Sequence, residues 1–356
     1  MTPSLEIAVH HRFVVLACLV LALGACGQAP TQSVEEDASA EGADTPLLGE
    51  GITAVTSVYP LAAVAEDIAP GADVRLLTSS GQDPHDLELS PDDRRLVESA
   101  DVVLYMGDLD FQPQVEAAVA DATGAVVSVA EVAGSDNLRR LEGHDHEDGD
   151  DHGHGDGDDD HADDADDDHG SGQQEDAHAH DDEAVDPHLW FDAAIMAGVA
   201  EAVGEAFAAA DPDRADGYRE RAGALHDELA ALDEDIDAVF ADCAHDTAIV
   251  SHEAYAYLLE RRGLAQEGIS GAGGHADASP ARLAELTERI RAEGIPAVLA
   301  EPIEGRGDAE ALASEAGVDL LDVDPLEIGE AHLAGVRFPD ALRAQAEAFA
   351  TALECT

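Results

Sequence analysis

The chain has 356 residues, 45% of them hydrophobic, and its 79 acidic residues against 17 basic ones give a net charge of −62. Every basic residue is Arg, and Lys is absent. This length and apolar content support two domains with cores of their own, and the charge excludes nucleic acid and an anionic membrane surface as partners while favouring cationic ligands.

An apolar run over 13–23 follows Arg12 and closes on Leu23-Gly24-Ala25-Cys26. It is too short to span a bilayer as a mature helix. A small-residue site ending on Cys resembles a bacterial lipobox, so 1–25 reads as a lipoprotein signal peptide and Cys26 as the acylated first residue of the mature chain. An ordinary secretory leader with an incidental Cys is the alternative. Cys18 leaves with the leader, which makes Cys243 and Cys355 an even pair in an exported protein. A disulfide is the default expectation for such a pair, and two free buried thiols are the alternative. Residues 26–50, small, polar and acidic, read as a flexible tether.

Order is expected from Ile52 onward. A β-type run over 53–58 precedes Pro60 at a first helical position, with Leu61, Val64 and Ile68 at helical spacing. Further along, a strand is expected at 74–77, a helix begins at Ser90-Pro91 with Ser90 as N-cap, a buried strand covers 101–106, a helix 111–122 and a strand 125–129. Strands alternating with helices predict a mostly parallel sheet flanked by helices.

The stretch 142–183 interrupts this alternation with sixteen Asp, four Glu and eight His (His144, His146, His152, His154, His161, His169, His178 and His180). It carries −20 of the net charge, leaves −42 on the rest, and contains no Arg and no aromatic ring. Such a segment cannot bury enough apolar surface to offset its ordering entropy, so it is expected to be a solvated loop. His clustered with carboxylates is a compositional sign of metal binding. The loop is read as an accessory that gathers ions weakly, or else as a solubilising insertion.

Periodicity resumes at Phe191, Ile195, Val199, Val203 and Phe207, one residue in four, for a helix that breaks at Asp211-Pro212. Leu225, Leu229, Leu232, Ile236 and Val239/Phe240 then stripe a longer helix with no strand on either side. A second series follows: strand 248–250, helix 254–262, a helix capped by Ser279-Pro280 and carrying Leu283, Leu286 and Ile290, strand 297–300, helix 308–316, strand 319–323 and helix 339–353. The expected fold is α/β, with lobes at 51–210 and 244–356 joined by a linking helix over 211–243 and a cleft between them.

Four residues stand at or just beyond predicted strand ends, where open α/β sheets place their ligands. His85 follows Asp83-Pro84, His188 follows Asp186-Pro187, His252 follows the strand ending Ser251, and Asp324 follows Leu321-Asp322-Val323. Three imidazoles and a carboxylate would close a Zn²⁺ shell. Taken singly, each reads more readily as a hydrogen-bonded loop residue. His252-Glu253 starts like a zinc-protease helix, but position 256 is Ala, and four protein ligands leave no open position for hydrolysis, so no enzyme is expected. Glu301 is read as a support for the site or a solvated loop acid, and Trp190 as packing over it or simply core.

The flanking residues carry more information. Pro84-His85-Asp86-Leu87-Glu88-Leu89-Ser90-Pro91, Asp186-Pro187-His188-Leu189-Trp190-Phe191-Asp192, Ser251-His252-Glu253-Ala254-Tyr255-Ala256-Tyr257 and Leu321-Asp322-Val323-Asp324-Pro325-Leu326 occur in this order. Together they resemble the metal-binding segments of the zinc/manganese solute-binding lipoproteins of ABC importers (the cluster A-I family). The resemblance runs from the lipobox to Cys355. It implies two α/β lobes joined by one long rigid helix, with metal in the interlobe cleft. His85 and His188 then supply the first two ligands, and His252 and Asp324 the third and fourth. His at the third position, where manganese members carry Glu, points to Zn²⁺, with Mn²⁺ or another divalent ion as the alternative. Cys243 and Cys355 match a disulfide of zinc-type members. Pro84 departs from members with an acidic alternative ligand beside the first His, and Asp277-Ala278-Ser279-Pro280 departs mildly from the usual acidic tract. The function implied is that of an extracytoplasmic, monomeric receptor, lipid-anchored to the outer face of the cytoplasmic membrane. It would capture Zn²⁺ and hand it to an ABC permease with a separate ATPase subunit. A surface adhesion lipoprotein with a structural zinc is the rival.

Overall fold

A computed structural model describes residues 47–78, 84–85, 87–140, 184–270, 278–302, 305–328 and 335–356. The signal segment, Cys26 and the eight histidines of 142–183 lie outside the described residues.

The first lobe runs β1 (Thr53–Thr56), α1 (Tyr59–Ile68), β2 (Asp73–Leu76), α2 (Pro91–Ser99), β3 (Val102–Tyr105), α3 (Pro113–Val119), β4 (Ala125–Ser128) and α4 (Val129–Ala133). Its strands are parallel in the order β2-β1-β3-β4. Residues 184–239 then supply α5 (Ala193–Ala210) and α6 (Ala215–Val239). The second lobe repeats the plan with β5 (Thr247–Val250), α7 (Ala256–Leu259), β6 (Ala265–Gly268), α8 (Pro280–Glu293), β7 (Ala297–Ala300), α9 (Arg306–Ala316), β8 (Asp319–Asp322) and α10 (Phe338–Ala352). Its strand order, β6-β5-β7-β8, is the same permutation. In both sheets the order reverses between the two central strands. The crevice beyond their carboxyl ends is therefore where each lobe can hold a ligand.

Local chemistry explains the boundaries. Ser90 Oγ accepts from Asp93 N (3.1 Å) while Asp93 Oδ2 accepts from Ser90 N (3.1 Å), a reciprocal cap with Pro91 in the first turn. Ser279 caps α8 from one side, its Oγ accepting from Arg282 N at 3.1 Å. Asp192 caps α5 by accepting from Ala194 N and Ile195 N, and its carboxylate also meets Arg261 of the second lobe at 3.2 Å. β6 escapes the sequence reading because Ala265-Gln266-Glu267-Gly268 has no β-branched or aromatic residue and forms an edge strand. The helix expected over 254–262 is shorter, α7 followed by a 3₁₀ turn at Glu260–Arg262.

α5 is apolar on most faces because it is enclosed: Ile195, Val199, Val203 and Phe207 are all buried. It packs tightly on α6, and a Cβ added at Gly204 would stand 2.4 Å from Ala222 Cβ. We expect Gly204→Ala to force these helices apart at a cost of about 1–3 kcal/mol, read as a lowered urea midpoint. An unchanged midpoint would mean that the crossing relaxes freely. α6 reaches both lobes: Arg221 donates to Asp67 O of α1 at 2.6 Å, and Asp235 pairs with Arg343 of α10 at 3.0 Å. Past the end of α6, Cys243 is joined to Cys355 by a disulfide (S–S 2.02 Å).

Candidate metal centre

His85, His188 and His252 come together. One ring nitrogen from each lies within 4.8 Å of the others, and the ring centres are 5.1–5.7 Å apart. A tetrahedral zinc shell holds its nitrogens roughly 3.3 Å apart, given Zn–N of about 2.0–2.1 Å. Among the described residues, this is the one group of three or more His, Cys, Asp or Glu side chains close enough to share an ion.

Each imidazole is held from behind. Gln112 Nε2 donates to Pro84 O (3.1 Å), fixing the turn before His85, and the His85 ring meets Phe111 edge-on at 4.7 Å. At His188 both the backbone N–H (2.9 Å) and Nδ1 (2.7 Å) meet Asp186 Oδ1, which orients Nε2 into the cluster. His252 leaves the carboxyl end of β5, and its Nδ1 lies 3.6 Å from Glu301 Oε2, at the carboxyl end of β7. Glu301 is itself fixed, taking a hydrogen bond from Tyr255 Oη (2.8 Å) and donating its N–H to Ser251 Oγ (3.1 Å). Carboxylates behind imidazoles set the tautomer and raise the basicity of the nitrogen facing an ion.

A carboxylate that faces two of the imidazoles is Glu327, three residues beyond Asp324. Glu327 Oε1 lies 2.9 Å from His188 Nε2 and 3.4 Å from His85 Nε2. Asp324 is outside the group of three imidazoles. Its Oδ1 accepts from Leu326 N at 2.8 Å, and its own N–H goes to Gln345 Oε1 at 2.8 Å. That short turn, with Leu326 at φ 60°, reverses the chain and brings Glu327 into the cluster. The signal available in the sequence was an acid in the same loop. Asp324 is the acid to which the strand end and the resemblance both point. Asp186, two residues before His188, is a support that the sequence reading does not assign.

His85 is partly exposed, and the other groups of the site are buried. His188 and His252 are 2% exposed, Glu327 3%, Asp186 and Glu301 1%. Burial alone would depress the His188 pKa, but the Asp186 and Glu327 carboxylates overcome it and push the value up to about 10. His252 is likewise raised, burial being outweighed by Glu301. Burial would raise Glu327, yet His188 and His85 hold it well below the usual carboxylate range. Three buried carboxylates around imidazoles make a strong demand for positive charge, which protons meet when no metal is bound. The donor set fits a borderline ion such as Zn²⁺.

Comparison with known proteins agrees. The model of the family described as zinc-uptake complex component A, periplasmic (ZnuA), matches residues 54–352. The zinc-binding protein AdcA of Streptococcus pyogenes serotype M3 is 30% identical over 289 residues, covering 79% of this chain and 52% of that protein. The chain thus spans about half the length of the curated relatives it first matches. Two solved structures share the fold. The laminin-binding protein Lmb of Streptococcus agalactiae has a TM-score of 0.64 at 23% identity, covering 85% of this chain and 100% of that one. The periplasmic zinc-binding protein TroA of Treponema pallidum has a TM-score of 0.65 at 20% identity, covering 85% and 99%. The chain belongs to the periplasmic zinc-uptake component A family.

Proposed function

We propose that this member of the family is the extracytoplasmic receptor of an ABC-type importer. Its cargo is Zn²⁺, taken between His85, His188, His252 and Glu327 and passed to a membrane permease driven by a separate ATPase subunit. The observation that carries this reading is the convergence of three imidazoles and one buried carboxylate from two lobes. The name of the relative AdcA, a zinc-binding protein, supports it. Acylation at Cys26, a monomeric state and placement on the outer face of the cytoplasmic membrane belong to the same proposal. Metal is gripped from both lobes, so delivery requires that they be drawn apart. Asp324 acts in this scheme through the turn that presents Glu327, and the His/Asp stretch 142–183 is an accessory.

Chelator-competition titrations of metal-stripped protein test this. One Zn²⁺ per chain is expected to bind tightly, and Mn²⁺ at least about 100-fold more weakly, because an imidazole-rich shell follows the Irving–Williams order. A variant lacking 142–183 should keep the tight site. If that deletion removes all tight binding, the cleft assignment fails.

A further inference from the structure

Glu327 belongs to the second lobe by chain position, but most of what holds it comes from the first. Tyr59 N and Thr78 Oγ1 both donate to Glu327 O, at 3.3 and 3.4 Å. Trp190 Nε1 donates to Pro325 O at 2.9 Å, and Tyr59 Oη donates to Val336 O at 2.9 Å. Further out, Arg337 Nη2 pairs with Asp67 of α1 at 2.8 Å. The second lobe holds Val323 and Asp324: Val323 N donates to Ala300 O (3.0 Å) and Asp324 N to Gln345 Oε1. Between Asp324 and Pro325 the chain passes from one lobe's hold to the other's.

Trp190 occupies the centre of this arrangement. It is fully buried, and its ring stands edge-on to His188, with centres 5.2 Å apart. One side chain therefore packs against a first-lobe imidazole and fixes the backbone two residues before Glu327. A buried indole needs some acceptor for its N–H, and Pro325 O could be no more than that. The neighbouring backbone argues for more. Leu326 sits at φ 60°, buried, in a left-handed conformation that a branched residue rarely adopts and that only contacts on both sides can maintain.

We propose that Trp190, assisted by Tyr59, is a positioning residue for Glu327: its indole N–H holds the Pro325 carbonyl and so sets the fourth ligand against His85 and His188. This rests on the metal-site reading above. The consequence is a half-site of His85, His188 and Glu327 held as part of the first lobe, with His252 the ligand supported by the second lobe's own Ser251, Tyr255 and Glu301.

The test is a double-mutant cycle on the metal-stripped full chain, with Zn²⁺ affinity from chelator competition and Co²⁺ visible absorption as the coordination signature. Trp190→Phe, which keeps a ring but loses the N–H, should weaken Zn²⁺ about 10-fold, in the range for partners that orient a ligand, and change the Co²⁺ spectrum. In a Glu327→Ala background the same substitution should change affinity less than about twofold. Wild-type affinity in Trp190→Phe, or an equal loss in both backgrounds, overturns the proposal. Should Trp190→Phe fold poorly, Tyr59→Phe keeps the ring and the backbone N–H to Glu327 O while removing the hydroxyl that donates to Val336 O. Its smaller loss should also vanish beside Glu327→Ala, and a loss of equal size there overturns the proposal. Glu327→Ala that binds Zn²⁺ like the wild type would instead overturn the metal-site reading itself.

Discussion

His188→Ala is expected to lose the tight zinc site altogether, with affinity falling by more than the 10–100-fold that follows removal of an orienting partner. His188 is central in every respect. Its ring is 5.5 Å from that of His85 and 5.1 Å from that of His252, and its Nε2 makes the shortest contact to Glu327. Removing it takes away a ligand and leaves the Glu327 carboxylate without its nearest cationic neighbour. The same change strands Asp186, which is 1% exposed and whose Oδ1 would keep only the backbone N–H of residue 188. Breaking a buried pair from one side costs about 3–5 kcal/mol, so metal loss has to be separated from unfolding. The double variant Asp186→Asn/His188→Ala removes the orphaned charge and should recover much of the stability without recovering zinc. Affinity within tenfold of wild type in either variant, with a normal urea transition, would show that the ion is held elsewhere.

The sequence made most of this architecture legible, and the exceptions have identifiable causes. The central strands β1, β3, β5 and β7 are short runs of Val, Ile, Leu and Ala with Thr and one Tyr, buried almost throughout, and central strands of a parallel sheet read as near-continuous apolar or β-branched runs. β6 did not announce itself because an edge strand needs no apolar run. The three histidines were readable because each follows a turn or strand end and because four segments recur in a family's order. Glu327 was not. Its place depends on Leu326 adopting positive φ and on Asp324 folding back to accept from Leu326 N, and nothing in Asp324-Pro325-Leu326 specifies a left-handed leucine. Glu301 was weighed in the sequence as a support for the site, but only the structure brings its Oε2 behind His252. Its hold on Tyr255 joins residues 46 positions apart, a relation that only the tertiary fold creates.

Zinc affinity should rise steeply with pH, and the direction follows from the charge balance of the metal-free site. His188, with its pKa pushed up to about 10 by Asp186 and Glu327 against the effect of burial, carries a proton at neutral pH. A metal must displace that proton, so each zinc bound at neutral pH releases at least one. Apparent affinity should then increase about tenfold per pH unit, or roughly 100-fold from about pH 6.5 to about 8.5. His252, whose pKa is also raised, adds to that dependence. The metal-free protein behaves in the opposite sense. Because the folded His188 pKa lies above the ordinary value of about 6.5, its contribution to stability is complete below that value and is lost as pH climbs through about 10. Glu327, depressed by the same imidazoles, contributes above the ordinary Glu value and loses its contribution only as pH falls through its lowered folded pKa. Metal-free protein should therefore weaken on the alkaline side while zinc-loaded protein gains. Calorimetry in two buffers of different ionisation enthalpy counts the protons released, and Asp186→Asn, by withdrawing the first of the carboxylates that hold the His188 proton, should flatten the dependence near neutrality. An affinity that is level across this interval would mean that His188 is neutral before the metal arrives, and that the buried carboxylates are compensated by something other than its proton.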